Sequence, residues 1–160
     1  MVVQIATPEK EYGAFLEKLG LENPVFEEKL TFDAALDAMS EESVAIASVE
    51  GWTSVWGVLL FVDEEVKQKL SKKANLLEFT LEGASDSYLF EWWTKGALKR
   101  KRFIQEGEVQ IDIGKPLPEE VEAFEEEDDE EERIFELIDR LCLPFRKLTM
   151  PKFHVFQIDG

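Results

Sequence analysis

The stretch GWTSVWGVLLFV, Gly51 to Val62, carries apolar residues on both of its alternating sets: Trp52, Trp56, Val58, Leu60 and Val62 on one, Val55, Leu59 and Phe61 on the other. That pattern predicts a strand buried on both faces, at the centre of a sheet. Asp63 follows as a candidate N-cap, then Glu64 and Glu65, then Val66, Leu70 and Ala74 at four-residue spacing, with Lys72 and Lys73 at the end. The order of charges suits the dipole of a short amphipathic helix.

Four apolar segments come next. Leu77, Phe79 and Leu81 alternate with Glu78, Thr80 and Glu82, and the turn Gly83 to Ser87 leads into Tyr88 to Trp93. Thr94-Lys95-Gly96 then precedes Leu98 to Ile104, and Gln105-Glu106-Gly107 precedes Val109, Ile111 and Ile113, which alternate with Glu108, Gln110 and Asp112. Connections of roughly three to five residues are too short for parallel crossovers, so these segments read as an antiparallel meander.

Upstream, Val2 to Ala6 suits a short strand. Thr7-Pro8-Glu9 opens a helix whose apolar face is Tyr12, Phe15, Leu16 and Leu19, and Gly20 suits its left-handed end. Leu21 to Leu30, with Asn23-Pro24, reads as a connection. Thr31 caps a second helix carrying Phe32, Leu36 and Met39, and Ser43 to Glu50 suits a strand pairing with the one after Gly51. Downstream, Pro116 and Pro118 leave the sheet, Ile134, Leu137, Ile138 and Leu141 mark a helix ending before Pro144, and Phe153 to Ile158 alternate as a last strand. The expected fold is a single α+β domain over residues 1–160. Its antiparallel sheet has about five or six strands centred on Trp52 to Val62, packed by the helices Pro8 to Leu19 and Glu132 to Leu141. The expected core holds Phe15, Leu16, Leu19, Val55, Leu59, Phe79, Leu81, Ile111, Ile134, Leu137 and Ile138.

The chain of 160 residues carries a formal charge of −17, and eleven of its acids fall between Glu119 and Glu132, a window without a base. Removing those eleven leaves −6 for the rest. Such a field repels nucleic acid and anionic membranes and attracts a basic protein over a Debye length of roughly 8–10 Å. Packed like charges predict weak order in the segment from about 119 to 131, above all in Glu122 to Asp129, unless basic groups dock on it. The only cysteine, Cys142, excludes an intramolecular disulfide, and no basic-then-apolar leader or run of roughly 18 apolar residues is present, so a cytoplasmic setting is expected.

Catalytic signatures are sparse. Phosphate loops, GxGxxG, HExxH, G-x-S-x-G and EF-hand spacings do not occur, and neither a cofactor nor a metal is expected. His154 lies in an apolar strand and Cys142 among leucines, positions that suit packing. Asp86 and Glu91 beside Trp92 and Trp93 form the one carboxylate pair suited to a carbohydrate-active hydrolase, the enzymatic alternative. Lys95, Lys99, Arg100, Lys101 and Arg102 are split between two faces by strand alternation, which suits pairing with the acidic run better than a nucleic-acid face. Adjacent Trp92 and Trp93 must point to opposite sides, so one of them is expected at the surface. The candidate partner-binding residues are therefore Trp92, Trp93, Glu125, Glu126, Glu127, Asp128, Asp129 and Glu130.

Gly51-Trp52-Thr53-Ser54-Val55, Ser85-Asp86-Ser87, Gly96 with Arg100, and Gly114-Lys115-Pro116-Leu117-Pro118-Glu119-Glu120 before an acidic tail together resemble small bacterial α+β proteins of unassigned function. Some of these are grouped with immunity proteins of contact-dependent and polymorphic toxin systems. The resemblance spans about residues 44 to 145 and carries no catalytic residues. It implies a cytoplasmic inhibitor or binding protein, and the expected function is a non-enzymatic module that binds a protein with a basic surface. A structural or regulatory adaptor is the further alternative.

Overall fold

A computed structural model describes residues 1–159. Along the chain lie β1 (Val2–Ile5), α1 (Tyr12–Lys18), β2 (Val25–Leu30), α2 (Phe32–Asp37), β3 (Ser43–Val49), β4 (Trp52–Gly57), α3 (Glu64–Ser71) and β5 (Leu76–Glu82). Then follow β6 (Ser87–Thr94), β7 (Ala97–Gln105), β8 (Glu108–Ile113), α4 (Pro118–Glu126), α5 (Glu130–Leu141), α6 (Phe145–Leu148) and β9 (Phe153–Gln157). Among the described residues nine strands form one sheet in the order β2-β9-β3-β4-β1-β5-β6-β7-β8, and every pairing is antiparallel. The chain is an α+β domain in which β5 to β8 form the expected meander. No helix among the described residues is long and apolar enough to cross a membrane.

Local chemistry explains the tight connections. Glu50-Gly51, Lys95-Gly96 and Glu106-Gly107 each have positive φ at both residues, the two-residue turn whose twist matches that of the strands it joins. Glycine meets that requirement at the second position without a Cβ penalty.

The sheet is covered on both sides. On one face α1 places Phe15, Leu16 and Leu19, and α3 places Val66 and Leu70, against Val3, Ile5, Ile46, Val55, Leu76 and Trp93. On the other, α5 places Ile134, Leu137 and Ile138 against Val2, Leu77, Phe79, Phe90 and Trp92. On this second face α2 contributes Ala35 and Phe32 to a smaller cluster with Ala45, Ala47, Phe153 and Val155.

Several expectations are corrected. The sheet has nine strands rather than about five or six, and β1 rather than the Gly51 to Val62 stretch occupies its middle. β4 stops at Gly57, where a Cβ would lie 2.9 Å from that of Leu60 and 3.1 Å from Val44. This close approach lets the chain fold back, burying Leu60 and Val62 in the α1/α3-face core while Leu59 and Phe61 stand 65% and 69% exposed. A run apolar on both sets is as compatible with such a strap as with a strand. Leu59 is therefore not core, and Leu81 and Ile111 are only half-buried, whereas the other eight expected core residues are buried.

Val25–Leu30, expected as a connection, is an edge strand. Its charged centre Glu27-Glu28-Lys29 is exposed, and only Phe26, on Phe156, and Leu30, against the α2 cluster, pack side chains, which leaves little hydrophobic signal. A register shift in β8 sets Val109 against Ile104 and Ile111 against Phe103, placing these two on opposite faces despite their alternation. α1 begins at Tyr12 rather than Pro8, because Thr7 O accepts from Thr53 Oγ1 at 2.6 Å and Glu9 N–H donates to the same hydroxyl at 3.0 Å. Those bonds hold the segment to β4.

Candidate functional site

Two charged groups stand out, one on each face of the meander. On the α3 face, pairing aligns Val3, Glu78, Glu91 and Lys101 across β1, β5, β6 and β7. Like charges directly opposite in an antiparallel pair repel. The Glu78–Glu91 pair is tolerated because Lys67, on α3, donates to Glu78 Oε2 at 3.0 Å and to Glu91 Oε1 at 3.1 Å. The Trp93 indole donates to Glu91 Oε1 at 3.0 Å, and Lys101 Nζ lies 3.6 Å from Glu91 Oε2.

Lys67, Glu78 and Glu91 are only 4%, 1% and 3% exposed. Burial, the hydrogen bond to Glu91 and the charge of Glu91 push the Glu78 carboxyl up to about 7, with Lys67 only partly offsetting them. Burial also opposes ionisation of Glu91, yet bonds from Glu78, Lys67 and Trp93 with the charge of Lys101 hold it below the usual carboxylate range. For Lys67, burial alone would lower the pKa, but the two carboxylates outweigh it and the ammonium is held above its ordinary value. Chemically this is a carboxyl–carboxylate pair locked to an ammonium and closed to a substrate. Its task is to seat α3.

The proposed hydrolase pair does not converge. Asp86 sits in a left-handed turn before β6, and five residue steps along the strand put it about 17 Å from Glu91. Glycosidase carboxylates stand roughly 5–9.5 Å apart. Glu91 is moreover committed to Lys67 and Trp93.

The second group lies under α4 and α5. Arg100, 2% exposed, gives Nε and Nη2 to the two carboxylate oxygens of Glu120 at 2.8 Å each, while Nη1 bonds Asp112 and the carbonyls of Ile113 and Gly114. Glu120 also accepts the Leu117 N–H at 3.1 Å, satisfying an orphan donor at the start of α4. Arg100 is held above its ordinary pKa, first by its bond to Glu120, and Asp112 is held below the carboxylate range by Arg100. Arg102 and Arg133 stack on Phe124 at 4.7 and 4.9 Å and share Glu130, while Arg140 pairs with Glu122 and Glu126.

These arginines explain how the acidic run forms two helices broken at Glu127 to Asp129. Arg133 Nε donates to Glu127 O at 2.7 Å, and Asp129 caps α5 by accepting the Glu132 N–H. The run is thus helical on both sides of a short connection. Splitting of the basic cluster holds for its arginines: Arg100 and Arg102 face the acidic helices, and Lys101 faces Glu91.

Of the expected partner-binding residues, Glu126, Asp129 and Glu130 have bonds within the fold, while Glu125 and Asp128 are exposed and lack an ion pair among the described residues. Glu127 is half-buried and contributes its carbonyl to Arg133. The expectation of a surface tryptophan is corrected: Trp92 and Trp93 do point to opposite faces, but helices cover both, leaving them 9% and 5% exposed. Lys67 and Glu78 were missed because alternation alone assigned Glu78 to a solvent face. The available signal was Glu91 amid apolar residues on both sides, a charge requiring a buried counter-ion.

His154 lies on β9 beside Tyr12 and Phe26, at ring distances of 4.9 and 5.5 Å, and burial with nearby Lys29 lowers its pKa. Burial pushes the Cys142 thiol up, away from nucleophilic use. No group of three His, Cys, Asp or Glu side chains among the described residues is placed to hold a metal ion. Comparison of the chain with protein-family models, curated proteins and solved structures gives no match.

Proposed function

We propose that this chain is a non-enzymatic protein-binding module that recognises a basic protein through the outer surface of α4, α5 and their connection. The single observation that carries this reading is the surplus of acid there: Glu119, Glu125, Asp128, Glu131 and Glu132 have no ion pair among the described residues, and Glu122 and Glu126 remain largely exposed despite Arg140. Charge of this kind speeds association, while apolar contact supplies more of the affinity.

Val121, 46% exposed in a cleft of about 340 Å³ edged by Arg102, Phe124 and Glu125, takes the anchoring place expected of Trp92 and Trp93. An inhibitor of a basic toxin, as the resemblance to immunity proteins implies, and a regulatory adaptor would both use this surface and differ in the partner. A free nucleic acid or an anionic membrane does not fit it electrostatically.

Photo-crosslinking from position 125 during affinity capture tests the reading. The expected product joins α4 to a lysine- or arginine-rich surface of an identified partner. Capture with crosslinks only from a probe on α1 would overturn the assignment to this surface.

A further inference from the structure

A cleft of about 530 Å³ lies between α5 and α6, beside the acidic surface and distinct from the cleft at Val121. Helical spacing puts Glu132, Phe135, Glu136 and Asp139 on one stripe of α5, and Phe145 at the start of α6 closes the opposite wall. Asp139 Oδ1 accepts the Phe145 N–H at 3.0 Å, fixing α6 against α5. Phe145 also packs edge-to-face on Phe135 at 5.0 Å, on Trp56 at 6.0 Å and on Phe32 at 6.1 Å, so the aromatic wall is held from behind.

The neighbouring junction of β7, α4 and α5 contains an internal template for what such a set of groups binds. Arg102 and Arg133 stack on Phe124, and both guanidinium groups bond Glu130. An aromatic ring with a carboxylate at its edge is therefore how this chain itself holds arginine. The α5–α6 cleft offers two rings and three carboxylates. Glu132 and Asp139 have no ion pair among the described residues, and Glu136 has only a 3.7 Å approach to Arg140. The one cation on the rim, Arg146, is exposed and unpaired among the described residues.

We propose that the α5–α6 cleft receives an arginine side chain of the basic partner, its guanidinium against Phe135 and Phe145 and bonded to Glu132 and Glu136. This rests on the reading of the acidic surface as a docking face and names the residue it selects. Arginine is favoured over lysine because its planar, weakly hydrated guanidinium stacks on a ring and bonds a carboxylate bidentately. Arg146 adds positive charge at the rim and so weakens non-specific cation binding.

The test uses the full chain and three acetylated nonapeptides of alanine and lysine that differ only in a central arginine, lysine or citrulline, followed by NMR. The arginine peptide should bind about fivefold more tightly than the lysine peptide and shift the ring signals of Phe135 and Phe145. Glu136→Gln, at a partly exposed position, and Phe135→Leu should each abolish that preference, and Arg146→Gln should tighten both cationic peptides. Equal affinities with shifts confined to residues 119–129 would overturn the cleft while leaving the acidic docking face standing. An arginine preference unchanged in both variants would also overturn it, and no shift anywhere would remove both readings.

Discussion

Two groups of charges hold helices onto the two faces of the meander, and they differ in what they leave over. Under α3, two carboxyls meet Lys67, with Lys101 at the margin, and burial pushes the Glu78 carboxyl up to about 7. Under α4 and α5, four arginines meet a run of eleven acids, so several carboxylates face water with no ion pair among the described residues. A sealed group settles its charge by sharing a proton, whereas a group on the rim can keep an excess because water solvates it. The first therefore suits stability, and the surplus of the second is what the proposed recognition of a basic partner would use.

The sharpest break between them should come from deleting each buried cation. Lys67→Met strands two carboxyls that are nearly inaccessible to water and should cost about 4 kcal/mol in urea unfolding, and Arg100→Met about 3 kcal/mol, since Asp112 stays partly solvated. Replacing Lys67, Glu78 and Glu91 together by apolar residues of similar volume should restore most of the loss. Failure of that triple variant to recover would show that the cluster supplies more than charge compensation.

A pH series sharpens the difference next. The Glu78 carboxyl lies at about 7 in the folded chain against an ordinary 4.5, so as pH rises the unfolded chain releases this proton first. Its contribution is complete below about 4.5 and is lost progressively as pH rises to about 7. Relative to Glu78→Gln, wild-type stability should fall by about 3 kcal/mol across that window. Glu91, held low, acts in the opposite direction and loses its contribution only as pH falls below its ordinary 4.5. A parallel pH dependence in wild type and Glu78→Gln would contradict the shared-proton account.

The smallest effect concerns order on the rim. Glu122 to Asp129 carries dense like charge, yet Arg140 bridges Glu122 and Glu126, and Arg133 holds the Glu127 carbonyl. Amide exchange should be slower in Glu122 to Glu126 than in Glu127 to Asp129, and Arg140→Gln should erase that contrast with little change in global unfolding. Equal exchange in both segments of the wild type would mean that the arginines do not order the run.

Much of the architecture is legible from local signals. The Xaa-Gly steps between β6, β7 and β8 punctuate the meander, and Ile134, Leu137 and Ile138 mark the buried stripe of α5 before any packing is known. What is not legible depends on partners distant in sequence. Glu78 looks solvent-facing until α3 is laid over it, Val58 to Val62 looks like strand until Gly57 lets it turn away, and β2 has a charged, exposed centre whose pairing partner β9 lies at the far end of the chain. The acidic surface was visible as composition, but which acids stay unpaired depends on where Arg100, Arg102, Arg133 and Arg140 land.

The most direct measurement places the same loss of charge in two regions. With a purified partner, stopped-flow association is followed for Glu119→Gln/Glu125→Gln/Asp128→Asn/Glu132→Gln and for a control neutralising the exposed Glu17, Glu22, Glu27 and Glu41, across a salt series. The recognition account predicts a slower on-rate and a flatter salt dependence for the α4–α5 variant alone. Equal slowing by both variants, or by neither, would contradict the claim that this surface is where the partner is recognised.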